Sequence, residues 1–175
     1  SNPIIDGVLY YGGRCKYQEE VVIPDGVSII GQHAYDGEYL KSIEFSRSVR
    51  TIQEKAFYNC HSLETVKLNN GLETIEKEAF KDDKRGLIKT IEIPSSVKKI
   101  GDNAFSGQKL ERIAFYSGLE AIGKEAFNDC ALQVVDLPKT IKSIGDNAFP
   151  PETQIMIEGE PYEYVIIERQ YKKKE

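Results

Sequence analysis

Val49-Arg50-Thr51-Ile52-Gln53-Glu54-Lys55-Ala56-Phe57, followed by Leu63, Val66 and Leu68, decides the fold, because the same apolar spacing occurs six times. The spacing V-x-x-I-x-x-x-A-F, then L-x-x-I-x-L, begins at Val27, Val49, Leu72, Val97, Leu119 and Ile141, at intervals of 22, 23, 25, 22 and 22 residues. A fixed period in that range is the signature of stacked units. Each unit buries its apolar side against its neighbours, so the array grows by addition and needs no central core.

Inside a unit, Ile43-Glu44-Phe45, Val66-Lys67-Leu68, Ile91-Glu92-Ile93, Ile113-Ala114-Phe115 and Val135-Asp136-Leu137 place apolar residues at every second position. Period two over a short β-rich run predicts a strand with one face inward. Asp25-Gly26, Asn70-Gly71 and Ser117-Gly118 turn the chain, and Pro24, Pro94 and Pro138 end the strands. The following V-x-x-I fits a second extended piece. Ile100-Gly101-Asp102-Asn103-Ala104-Phe105 and its equivalents predict one helical turn that returns Ala and Phe to the core. Stacking then makes an internal ladder of Phe57, Phe80, Phe105 and Phe127.

Three segments follow. Residues 1–20, with Asp6-Gly7 and Gly12-Gly13 around a β-prone run, predict a hairpin cap that covers the first repeat's open edge. Residues 21–149 carry the array. In residues 150–175, Pro150-Pro151 stops the pattern, and the runs Thr153 to Ile157 and Tyr162 to Ile167 predict a C-terminal cap before a frayed tail. Lys81 to Gly86 lengthens the usual five-step gap after Phe80 and has the composition of a solvated loop.

Val-x-x-Ile-Gly-x-x-Ala-Phe, then Leu-x-x-Ile-x-Leu-Pro, resembles the BspA-type (bacterial surface antigen) leucine-rich repeats from about Val21 to Phe149. Asp6-Gly7-Val8-Leu9-Tyr10 looks like the lead-in segment of such arrays. The Asn ladder of the commoner leucine-rich repeats is replaced by Ser48, Gly71, Ser96, Gly118 and Thr140, which favours the bacterial type. The resemblance implies an α/β fold: a right-handed, β-rich leucine-rich-repeat solenoid with a parallel sheet, short helical turns and terminal caps. It also implies an exported or cell-surface protein used in adhesion or binding, and it supplies no catalytic residues.

Hydrophobic residues at 40% and charged residues at 29% are ordinary for a folded chain and too apolar for disorder. A net charge of −5 lacks the basic surplus that phosphate contacts require, so nucleic acid is not expected as a partner. No apolar run approaches the ~20 residues of a membrane span, so no membrane insertion by this segment is expected. The start at Ser1-Asn2, without an initiator Met, reads as a processed product or a cloning remnant, and a removed signal peptide is compatible with it.

Cys15, Cys60 and Cys130 are an odd number, which argues against a disulfide framework. Cys60 and Cys130 each follow the repeat Phe by three positions and are separated by three units, which at ~4.8 Å per strand is ~14 Å, beyond disulfide reach. Both are expected to be small buried hydrophobes. His61 follows Cys60 but is expected in solvent, and His33 shares a polar column with Lys55, Glu78, Asn103, Glu125 and Asn147. Neither arrangement makes a nucleophile with an oriented base. Zinc spacing, a calcium loop and a phosphate loop are missing from the sequence, so no metal, no cofactor and no enzyme activity are expected.

The outward face offers the candidate site. Its first three units carry Ser42, Glu44, Ser46, Thr65, Lys67 and Asn69, small polar or charged residues. The later units carry Arg112, Ala114, Tyr116 and Val134, flanked by Pro94 and Pro138 in the column of Tyr116. Arg112, Tyr116 and Val134 are expected to centre a surface for a protein or glycan ligand, since Tyr and Arg are enriched at binding hot spots. The Asp82 to Arg85 loop is expected at its rim. A structural spacer or self-associating unit is the alternative.

Overall fold

The computed structural model describes residues 4–10, 19–158, 160–165 and 170–173. Cys15 and the side chain of Tyr171 lie outside them. The chain forms a β-solenoid of about six turns, each contributing one strand to either of two walls, with elements numbered in chain order.

One wall is continuous. The antiparallel hairpin β1 (Ile4–Ile5) and β2 (Val8–Leu9) leads into β4 (Ile29–Ile30), β6 (Thr51–Ile52), β8 (Thr74–Ile75), β10 (Lys99–Ile100), β12 (Ala121–Ile122) and β14 (Ser143–Ile144). From β2 onward every pairing is parallel, with the V-x-x-I isoleucines in register from Ile30 to Ile144.

The opposite wall is interrupted. β3 (Glu20–Val22), β5 (Ser42–Glu44) and β7 (Thr65–Lys67) form one parallel sheet, and β9 (Thr90–Ile93) with β11 (Arg112–Phe115) a second. A third joins β13 (Val134–Leu137) in parallel to β15 (Gln154–Ile157), which continues antiparallel into β16 (Glu160–Val165) and β17 (Gln170–Lys173). The β7 to β9 break falls at the longest repeat interval. Ile88 is the buried residue that opens the strand segment, eight positions after Phe80, where Phe105 and Leu110 are five apart. The continuous wall and the aromatic column pass this point undisturbed, so the extra length is taken up on one side of the coil alone.

Tyr35, Phe57, Phe80, Phe105, Phe127 and Phe149 stack at centroid spacings of 4.9–5.4 Å with interplanar angles of 3–8°. The expected ladder is present and extends by one ring at each end. Tyr35, at the first end, takes the place of Phe.

The expected helical turns are not. Among the described residues no helix forms, because the N–H groups that would close one are spent between coils. The Phe57 N–H donates to Ala79 of the next coil at 2.7 Å and the Phe105 N–H to Ala126 at 2.8 Å. Two residues earlier, Lys55 donates to Lys77 and Asn103 to Lys124. The polar column His33, Lys55, Glu78, Asn103, Glu125, Asn147 is left-handed throughout, with φ between 52° and 57°. A left-handed residue at the third position of each turn prevents helical continuation, and it costs a non-glycine residue some strain that the inter-coil bonds offset.

Cys60 and Cys130 are buried, donating to the carbonyls of Tyr35 at 3.0 Å and Phe105 at 3.3 Å. Both should resist alkylation until the chain unfolds, and a Cys60–Cys130 bond in mass spectrometry would overturn the stacking register. Burial pushes the Cys130 thiol up to about 12 from an ordinary value near 9. Above pH 9 the unfolded chain gives up this proton and the folded chain keeps it. Stability is therefore lost as pH rises from 9 towards 12, by about 1.4 kcal/mol per pH unit. Alkaline denaturation of Cys130→Ala should show a slope shallower by that amount, and identical slopes would refute the assignment.

Candidate functional site

The interruption between β7 and β9 opens a groove of about 750 Å3 on the outer face, lined from β7, β9 and β11. Period-two alternation sends Thr65 and Lys67, Thr90 and Glu92, and Arg112 and Ala114 outward, while Val66, Ile91 and Ile93 are buried beneath. Tyr116, just past β11, closes one end with its ring half-exposed, and its N–H donates to Ile93 at 3.3 Å.

The charges divide into paired and unpaired. Lys67 reaches back to Glu44 on β5 at 2.6 Å, across a regular parallel pairing. The next member of that column, Glu92, lies across the break and has no ion-pair partner among the described residues. Arg112 has none either. Ala114 sits directly beside Glu92 in the β9–β11 register and Arg112 beside Thr90, so the guanidinium and the carboxylate flank a small methyl group.

Of the residues expected to form the site, Arg112, Tyr116 and Pro94 line this groove. Val134 does not. It is 49% exposed, on β13, a strand not hydrogen-bonded to β11. Pro94 and Pro138 are both buried, so they support the turn from below and do not flank Tyr116 as exposed neighbours. Asn69 is buried too, its Nδ2 donating to the Val49 carbonyl at 2.9 Å. At Asn69, Pro94 and Pro138 the cause is shared: the residue after the last strand apolar position already belongs to the turn, where alternation no longer assigns a face.

The Asp82 to Arg85 loop is absent from the groove lining and is tied to the corner of the coil. Asp82, expected in solvent, has a side chain 0% exposed that meets His61 Nδ1 at 2.9 Å and accepts the Arg85 N–H at 2.9 Å. His61 is accordingly half-exposed and partnered. Asp83 and Asn59 exchange two hydrogen bonds, at 3.0 and 3.1 Å, and Lys84 lies 3.5 Å from Asp129. Gln108 supports the loop's far end: its Nε2 donates to the Phe80 carbonyl at 2.7 Å and its Oε1 accepts the Ile88 N–H at 3.2 Å. Local spacing does not reveal that Gln108 and Asp82 are buried. Their buried polarity follows from orphaned backbone groups that the extra residues create.

The BspA type leucine rich repeat region matches this sequence in six copies, over residues 5–85 and 83–157. Among solved structures, a leucine-rich repeat protein from Bacteroides ovatus is similar at 30% identity with a TM-score of 0.72, covering 85% of this chain and 40% of that one. The pneumococcal vaccine antigen PcpA is similar at 26% identity with a TM-score of 0.71, covering 95% of this chain and 47% of its own. A leucine-rich cell surface protein from Faecalibacterium prausnitzii shares the fold at 23% identity, TM-score 0.57, covering 87% of this chain and 53% of that one. The present chain thus spans about half or less of each. No curated protein matches it.

Proposed function

The chain belongs to the BspA-type leucine-rich repeat family, and we propose that it is a non-enzymatic binding or adhesion module of an exported or cell-surface protein, presenting its outer sheet face to a protein or glycan. The observation that carries this reading is the groove beside the wall's interruption. A repeat array repeats its surface as well as its core, and the β7–β9 break is the interruption of this wall that coincides with the lengthened interval. There an exposed aromatic ring meets, in a concavity, a guanidinium and a carboxylate that have no ion-pair partner among the described residues. Concave sites with a few converging polar groups are where ligands bind. The surface setting is supported by the relatives, one a vaccine antigen and one a cell surface protein.

Binding of the purified chain to immobilised extracellular proteins and to a glycan array tests the proposal. For a ligand found in this way, Tyr116→Ala should weaken binding by at least ~2 kcal/mol and leave the melting temperature nearly unchanged, as for a hot-spot residue outside the core. Unchanged affinity in both Tyr116→Ala and Arg112→Ala would move the site elsewhere, first to the edge that bears Tyr39 and Tyr58. Concentration-dependent sedimentation that is indifferent to both substitutions would favour the self-assembling spacer.

A further inference from the structure

We propose that the β7–β9–β11 groove is a binding site for a neutral oligosaccharide two or three hexose units long. This rests on the reading of the same face as a binding surface and narrows it to one chemistry.

Width comes first. Strands β7 and β9 are not joined by ladder bonds, yet Cα atoms of the two lie within 8 Å of one another. A peptide strand inserted between them would need about twice the 4.8 Å strand spacing, close to 9.6 Å. The break is too narrow for strand addition, so a ligand must lie on the groove and meet side chains.

Charge comes next. The groove's ionic side chains are Glu64, Lys67, Glu92 and Arg112, two of each sign, and Lys67 is already engaged by Glu44. Such a balance gives no field for a polyanion, which excludes sulfated or nucleic-acid chains as the preferred class. A protein interface core is poor in Lys, Glu and Ser, whereas exposed members of this lining are Glu64, Lys67, Glu92 and Ser95. Covering Arg112 and Glu92 with an apolar partner would strand two charges without compensation.

A sugar ring answers both demands. Its edge carries hydroxyls that serve as donor and acceptor together, so the Arg112 fork can donate to one pair and the Glu92 carboxylate accept from another, each a charge-assisted bond. Its C–H face is apolar and suits the exposed ring of Tyr116, an amphipathic side chain that offers contact area at small entropic cost. Ala114, between Arg112 and Glu92, leaves the shallow space a ring edge needs. Four strand steps from Arg112 to Tyr116 span about 13 Å, which sets the length at two or three rings.

Titration calorimetry with cellotriose, maltotriose, mannotriose and triacetylchitotriose, against a heparin hexasaccharide, tests the assignment. At least one neutral trisaccharide should bind in the millimolar range or tighter, with an affinity insensitive to added salt. Tyr116→Ala and Arg112→Ala should each weaken it at least about tenfold, Tyr116→Phe should retain it, and the melting temperatures should stay at the parent value. No binding by any neutral trisaccharide up to about 10 mM overturns the proposal. So does binding that both alanine variants retain, or a salt-sensitive preference for the heparin fragment. If the saccharides fail while a protein ligand is lost on Tyr116→Ala, the face remains a binding surface and only its chemistry was misassigned.

Discussion

Truncating Phe105 to Ala is expected to lower the unfolding free energy by about 3 to 5 kcal/mol, the range for removal of a fully buried aromatic ring. Phe105 is 0% exposed and stacks on Phe80 at 5.1 Å and Phe127 at 5.4 Å. Its neighbours cannot close the gap, since their own amides are fixed between coils, Phe80 to Ala104 and Phe127 to Ala148, both at 2.7 Å. The cavity should therefore stay open, and the loss should lie towards the upper end. The exposed Lys99→Ala on β10 is the control and should change stability by less than about 0.5 kcal/mol. Urea titrations that return comparable small losses for both would remove the aromatic column as the core. Because the units communicate only through neighbours, a second, separate transition in Phe105→Ala would locate the weakest interface of the array.

Gln108→Ala is expected to cost about 2 to 6 kcal/mol, because each of the two buried polar groups left without a partner costs roughly 1 to 3 kcal/mol. The side chain serves two backbone groups on either side of the extra loop, the Phe80 carbonyl and the Ile88 amide. Neither has an alternative where the chain leaves its repeat. Gln108→Met keeps much of the shape and loses both hydrogen bonds, so it should be nearly as destabilising as alanine. Gln108→Glu keeps only the acceptor, leaves the Phe80 carbonyl opposite a carboxylate, and should also destabilise. Thermal melts place the three variants, and hydrogen exchange at the Ile88 amide reports the local effect. A loss below about 0.5 kcal/mol for both Ala and Met would show that this bridge does not hold the loop.

What the sequence by itself determined is the stacking. Apolar period two in Ile43 to Phe45 or Val135 to Leu137 specifies which side of a strand is inside, whatever surrounds it, because a one-residue slip would expose the whole apolar set. The equal spacing of six units specifies that like residues meet, which places the Phe column, the Ile register and the two separated thiols. Arg112 was readable as an outward residue by the same alternation, whereas Tyr116 holds the turn position at which Asn69, Pro94 and Pro138 are buried, and its exposure is decided by the structure. Tertiary structure alone decided the rest. Whether Ile100 to Phe105 curls into a helical turn depends on where its amides go. They go to the next coil, a partner that local spacing does not reveal, and the left-handed Lys55, Glu78 and Glu125 carry none of the Gly or Asn signal such a conformation usually leaves. Alternation also fixes direction without distance. It aligned Lys67 with Glu92 in one charge column, yet the two strands part where three extra residues enter the coil, and the pair never forms. The same excess chain buries Asp82 and calls on Gln108, and the groove lies at the break it coincides with, where Glu92 and Arg112 have no ion-pair partner among the described residues. Long-range accommodation of an insertion depends on every coil it touches, and no local pattern in the sequence encodes it.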